Sequence, residues 1–165
     1  MLEGRVLYAG HDHVHVLRYV GDVRFPLAPS VSDFVGSLLD RDPSDELVFD
    51  FSEAEAIDST NLGAIARIAD RLSLSTGKRA AIISPRPEIS QVLFSMAFDE
   101  VFDICTEAAP TSGGEPIPDV KASKDASLQT ILLAHQRLMQ MSESNREQFR
   151  EVVELMECQL EAKNT

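Results

Sequence analysis

The sequence predicts an α/β domain, a mainly parallel sheet covered by helices, followed by a C-terminal helical extension. Three observations point there. Residues 47–51 and 79–83 are compact runs with the near-continuous apolar character of strands buried on both faces. Segments with apolar residues at helical spacing alternate with these runs, and that alternation favours parallel pairing. Residues 123–163 then keep helical spacing to the end of the chain.

Residues 5–9 are the first strand candidate, closed by a turn at Gly10-His11-Asp12. Val14, Val16 and Tyr19 or Val20 continue as a second strand that ends at Gly21-Asp22. The short connection predicts an antiparallel pair at one end of the sheet. Pro26 and Pro29 break the pattern. Val31, Phe34, Val35, Leu38 and Leu39 recur at helical spacing, with Ser30 as the cap. Asp42-Pro43-Ser44-Asp45 reads as a loop before the central strand at 47–51, and residues 52–57 read as a connector. Asp58-Ser59-Thr60 offers a cluster of helix N-caps. Leu62, Ile65, Ala66, Ile68, Ala69 and Leu72 carry that helix to a stop at Gly77. After the strand at 79–83, Pro87 starts a helix on Ile89, Val92, Leu93 and Met96, and residues 101–104 are a final strand.

The chain divides into a sheet domain at 1–106, a flexible linker at 107–122 rich in Pro, Gly and Ala, and a helical extension at 123–165. In the extension, Leu128, Ile131, Leu132, Leu138, Met139 and Met141 form one apolar set. Phe149, Val152, Val153, Leu155, Met156 and Leu160 form a second. Ser144 and Glu147 have capping-box spacing within the polar stretch between them. Two forms stay open: one helix of roughly 60 Å at 1.5 Å per residue, or a two-helix hairpin. Either needs its stripe covered, and self-association or partner capture through residues 149–160 is expected.

A net charge of −12, from 15 basic and 27 acidic residues, excludes the basic footprint that nucleic acid or anionic lipid requires. Aromatics at 6% with no Trp leave no stacking platform for single strands. Cys105 and Cys158 lack CxxC spacing, so neither a disulfide framework nor a zinc ribbon is expected. Cys105 reads as a core residue. No apolar run approaches the roughly 20 residues that span a bilayer, and no signal peptide is visible at the N-terminus. A soluble cytoplasmic setting is expected.

The informative segment is Asp50-Phe51-Ser52 followed by Asp58-Ser59-Thr60-Asn61-Leu62-Gly63. Physically, a buried strand runs into a loop and delivers two hydroxyls to the start of a helix. The first-turn amides there lack partners, and the helix dipole favours negative charge. A phosphate on Ser59 would occupy an anion-binding position and add nearly two negative charges beside Asp58. On spacing alone, the same residues also read as a plain helix cap.

This segment resembles the signature of STAS domains, in which Asp-(Leu/Phe)-Ser ends a strand and Asp-Ser-(Ser/Thr)-Gly-Leu-Gly follows after several residues. The resemblance covers roughly residues 5–105, and Gly77-Lys78 and Phe98 leading to Val101-Phe102 fit its later half. It implies a STAS-like mixed sheet and an anti-sigma-factor antagonist. In such antagonists the Ser after the motif Asp is phosphorylated by a serine kinase. The unphosphorylated form binds the anti-sigma factor, often that kinase, and a phosphatase resets the system. Carried over by position, the acceptor is Ser59, and the switch surface is Asp22, Arg24, Asp58, Thr60, Asn61 and Gly63.

Two positions depart from the pattern. Asn61 replaces the usual Gly, a tolerable change because its amide bonds locally. Gly21-Asp22-Val23-Arg24 replaces Gly-Glu-Leu-Asp, so Arg24 stands for an acid and could pair with Asp58 or receive the phosphate. His11, His13 and His15 would share a face of one strand, the solvent side of an edge strand more readily than a metal site. Ser59 lacks the nucleophile-elbow pattern, and no glycine-rich phosphate loop follows a strand. No enzyme activity, cofactor or metal is expected. The alternative to the antagonist is a structural STAS subunit of a signalling assembly or of a lipid-transport ABC complex.

Overall fold

Leu17 and Tyr19 flank Arg18 along one strand, Phe49 and Phe51 flank Asp50 along the next, and this alternation sorts the molecule into two faces. Helices cover the apolar face, and a belt of chain crosses the polar one. The computed structural model describes residues 2–42, 46–107 and 111–163. Parts of the predicted loop, at 43–45, and of the predicted linker, at 108–110, lie outside the described residues.

The strands are β1 (Arg5–His11), β2 (Val14–Val23), β3 (Glu46–Ile57), β4 (Ala81–Ile83), β5 (Asp103–Cys105) and β6 (Glu115–Pro116). They form one sheet in the order β5-β4-β3-β2-β1-β6. The pairs β2–β3, β3–β4 and β4–β5 are parallel, while β1 pairs antiparallel with both β2 and β6. The helices are α1 (Ala28–Arg41), α2 (Ser59–Thr76), α3 (Pro87–Ser95), α4 (Lys124–Met141) and α5 (Glu143–Lys163). The fold is the mixed, mainly parallel α/β sheet with a C-terminal helical extension that the sequence predicts.

Several boundaries moved, each for a packing reason. Residues 52–57 are strand rather than connector, because β3 stays paired with β2 as far as Ile57 opposite Val23. Register shifts after Arg18 and after Gly21 absorb the mismatch. The strand expected at 101–104 forms at Asp103–Cys105, because Phe102 turns inward to stack on Phe98, their centroids 5.3 Å apart. Cys105 is exposed rather than in the core. Ser30 lies inside α1, not at its cap, and its Oγ accepts the Val120 N–H at 2.9 Å. The histidines do not alternate on one strand: β1 ends at His11, and Asp12 and His13 take positive φ in the turn. His15 instead meets the Tyr8 hydroxyl at 2.7 Å.

After β5 the chain crosses the polar face of the sheet. Thr111 N–H donates to Asp50 Oδ2 at 2.9 Å, and Gly113 O accepts from Arg18 at 2.6 Å. The chain then pairs with the far edge at β6, and Ile117 N–H donates to Val6 O. It returns to the helix side through the Val120–Ser30 bond.

The extension is a hairpin. Ser142 breaks the helix, its Oγ accepting Asn145 N–H at 3.1 Å, so the cap is Ser142 rather than Ser144. α5 then doubles back, and Lys163 near its end meets Asp125 near the start of α4 at 2.5 Å. Leu138 and Phe149 join the same core cluster as Leu17, Phe49 and Ile65. Asn145 Nδ2 ties the bend down, donating to Met96 O and Leu138 O at 2.9 Å each. Phe149 and Val153 face inward, whereas Val152 and Leu155 of the predicted stripe are exposed.

Candidate functional site

β3 and β2 end side by side: Asp58 N–H donates to Val23 O at 3.1 Å, which sets the start of α2 against the end of β2 at Asp22–Arg24. Asp58 is the N-cap of α2. Its Oδ1 accepts from Asn61 N–H at 3.0 Å and from the Asn61 side-chain amide at 2.9 Å. Asn61 where the family pattern has Gly therefore doubles the cap bond, a local gain of the kind a short amide provides. Ser59 is the first residue of α2 and is half-buried. Gly77 ends the helix in the left-handed conformation, φ 71°, as expected of a C′ glycine.

The sequence-predicted residues fall into two groups. Asp22 and Asp58 are half-buried and Arg24 is exposed, so with Ser59 they form an accessible rim. Arg24 pairs with Asp22, Nε to Oδ1 at 2.8 Å, rather than with Asp58. Thr60 and Asn61 are buried at 5% and 2% exposure, and Gly63 is buried as well. Over Gly63 the cover is the C-terminal hairpin. A Cβ on Gly63 would stand 2.3 Å from Ala134 O, so α4 seats on bare backbone there.

The residue that sequence reasoning missed is His135 of α4. Its Nε2 lies 2.8 Å from Ser59 Oγ, across 76 positions of chain. Its Nδ1 lies 2.7 Å from Ile131 O. A carbonyl oxygen only accepts, so Nδ1 carries the proton, and in the neutral ring Nε2 accepts from the Ser59 hydroxyl. The Phe149 ring packs edge-on at 5.3 Å, and His135 is 6% exposed. The available signal was a polar ring at helical spacing among Ile131, Leu132 and Leu138.

The other motif carboxylate, Asp50, faces away from this site. It is buried and accepts four hydrogen bonds, from the backbone and hydroxyl of Ser52 and of Thr111. Burial by itself pushes its carboxyl up. The bonds from Ser52 and Thr111 outweigh that and hold it below its ordinary 3.8. Asp50 thus organises the belt, and Asp58 organises the start of α2. Among the described residues, no group of three His, Cys, Asp or Glu side chains could hold a metal ion, and no helix is long and apolar enough to cross a membrane.

Comparisons with known proteins agree with this geometry. The STAS domain family model matches residues 5–111. The Thermotoga maritima protein TM1081 shares the fold with a TM-score of 0.53 at 26% identity, over 60% of this chain and 84% of that one. An anti-sigma factor antagonist from Mycobacterium paratuberculosis matches at 0.53 and 22% identity, over 78% and 94%. The Bacillus cell fate determinant SpoIIAA in its phosphorylated form matches at 0.52 and 14% identity, over 62% and 92%. At these last two identities the likeness is one of fold. No curated protein matches the chain. With the Asp58-Ser59-Thr60 start of α2 on the expected scaffold and the family model spanning most of the chain, the protein belongs to the STAS domain family.

Proposed function

We propose that this protein is an anti-sigma-factor antagonist, an adaptor that acts by binding and is switched by phosphorylation of Ser59. In this reading the unphosphorylated form sequesters an anti-sigma factor or its serine kinase, and a phosphatase restores it, in the cytoplasm. The observation that carries the reading is the position of Ser59. It is the first residue of α2, behind the Asp58 cap, half-exposed beside the Asp22–Arg24 ion pair. A helix start tolerates a phosphate, and the added charge, about −1.5 to −2, would change the rim from nearly balanced to strongly acidic. A chain of net charge −12 suits a basic patch on its partner. Asp22, Arg24, Asp58 and Ser59 make the contact in this reading, while Thr60, Asn61 and Gly63 shape the surface from beneath.

The Ser59–His135 pair has the atoms of a nucleophile and its base. In our reading it serves to hold one helix on another. The test is capture of partners from a lysate of the source cell, with Ser59→Ala and Ser59→Asp full-length chains as baits. An anti-sigma factor or serine kinase retained by Ser59→Ala and lost by Ser59→Asp is the expected result. Equal retention by both would end the switch reading.

A further inference from the structure

The hairpin that covers α2 also touches the hydroxyl proposed as the switch. Ser59 Oγ and Gly63 lie one helical turn apart on α2, and they face His135 and Ala134, neighbours on α4. The contact has no slack. Ala134 O occupies the space a Gly63 side chain would take. The His135 ring is held by its own helix at Ile131 O and by Phe149 on α5, and at 6% exposure it has almost no water to turn to. A 2.8 Å separation between Ser59 Oγ and Nε2 accommodates one shared proton and nothing larger.

We propose that the α4–α5 hairpin is a clamp read by the chemical state of Ser59: the free hydroxyl holds the hairpin down through His135, and a phosphoryl group on that oxygen loosens it. The inference rests on Ser59 being the phosphoacceptor. In the transfer, Ser59 Oγ forms a bond to the terminal phosphorus of a nucleoside triphosphate. The bond from that phosphorus to the bridging oxygen breaks, the nucleoside diphosphate leaves, and the hydroxyl proton departs. That proton, hydrogen-bonded to Nε2 before the transfer, is taken by a general base of the kinase and passes to solvent. The ester oxygen left behind has only lone pairs, so Nε2 loses the donor it had, and the added phosphoryl group does not fit the 2.8 Å gap between Ser59 Oγ and the ring. The phosphoryl oxygens also need water or donors, and the neighbouring charge is the Asp58 carboxylate.

The coupling is reciprocal. If a phosphate weakens docking by some factor, a docked hairpin opposes phosphorylation by the same factor. The clamp therefore shields Ser59, and anything that pulls on the hairpin exposes it.

The experiment is hydrogen exchange on the full chain carrying phosphoserine at 59, installed during translation, against the unmodified chain. Amides of residues 131–138 and 60–66 should exchange faster by about tenfold or more, while residues 47–51 of β3 keep their protection and report an intact fold. Ser59→Asp in the full chain should move the same two segments in the same direction. In a His135→Phe background the effect of phosphoserine should shrink, because the contact it breaks is already gone. Unchanged or increased protection over 131–138 in the phosphoserine chain would overturn the clamp. Partner capture by the two Ser59 baits does not depend on this outcome, so either reading can fail alone.

Discussion

Asp50 shows how one side chain can belong to a family signature for a structural reason. Its carboxylate gathers Ser52 and Thr111, so the motif Asp-Phe-Ser anchors the belt and not the switch. Because its carboxyl is held below the ordinary 3.8 in the folded chain, it contributes stability above that value. The contribution is lost as pH falls through the lower, folded-state value. Asp50→Asn should cost about 1–3 kcal/mol at neutral pH, since it leaves buried donors opposed. Urea denaturation between about pH 6 and pH 3 should show a shallower acid loss in the variant than in the parent. An identical acid slope would show that Asp50 is not the group responsible. Ser59 and Asp58, by contrast, were legible as a cap because capping is local chemistry within three or four residues.

At the scale of elements, the seat of α4 on α2 depends on a single missing side chain. Gly63→Ala gains up to about 1 kcal/mol of helix propensity, but its Cβ would stand 2.3 Å from a backbone carbonyl that has nowhere to go. The net expectation is a loss of about 1–3 kcal/mol, the usual range for overpacking. Gly36→Ala on α1 is the matched control. Its Cβ would meet only the tip of Arg71, at 3.2 Å, so the same propensity gain should appear as neutral or slightly raised stability. Thermal unfolding of both variants decides the point, and equal effects would refute the close seat. The helices themselves were readable from apolar spacing and caps. Their ends were less so where tertiary bonds intervened: Ser30 has the residue type of a cap, yet it holds Val120 across 90 positions. Residues 52–57 look too polar for a strand, yet pairing with β2 keeps them extended.

For the whole molecule, the belt and hairpin close the chain on itself. The chain leaves β5, crosses the polar face at Asp50 and Arg18, pairs with β1 at the opposite edge and returns to lay two helices on α2. Arg18 joins in by also pairing with Glu53 at 2.8 Å, and the fork of Arg137 on Asp70 links α4 to α2. Since Leu138 and Phe149 share one core with the sheet, the full chain should unfold in one transition. Backbone circular dichroism and the near-ultraviolet signal of Tyr8 and Tyr19 should give the same midpoint. Two separated midpoints would mean that the hairpin is an independent body.

The order of strands and helices, the capped start of α2 and its glycine stop were present in the chain itself. Hydrophobic period, N-caps and C′ glycines act over a few residues, and any reader of the sequence meets them together. The pairing of Ser59 with His135, the covering of Gly63 by Ala134, and the hold of Asp50 on Thr111 were decided only by packing. Each joins residues 61 to 76 positions apart. Such contacts are chosen by which apolar faces bury each other, a property of the folded whole that no local pattern carries.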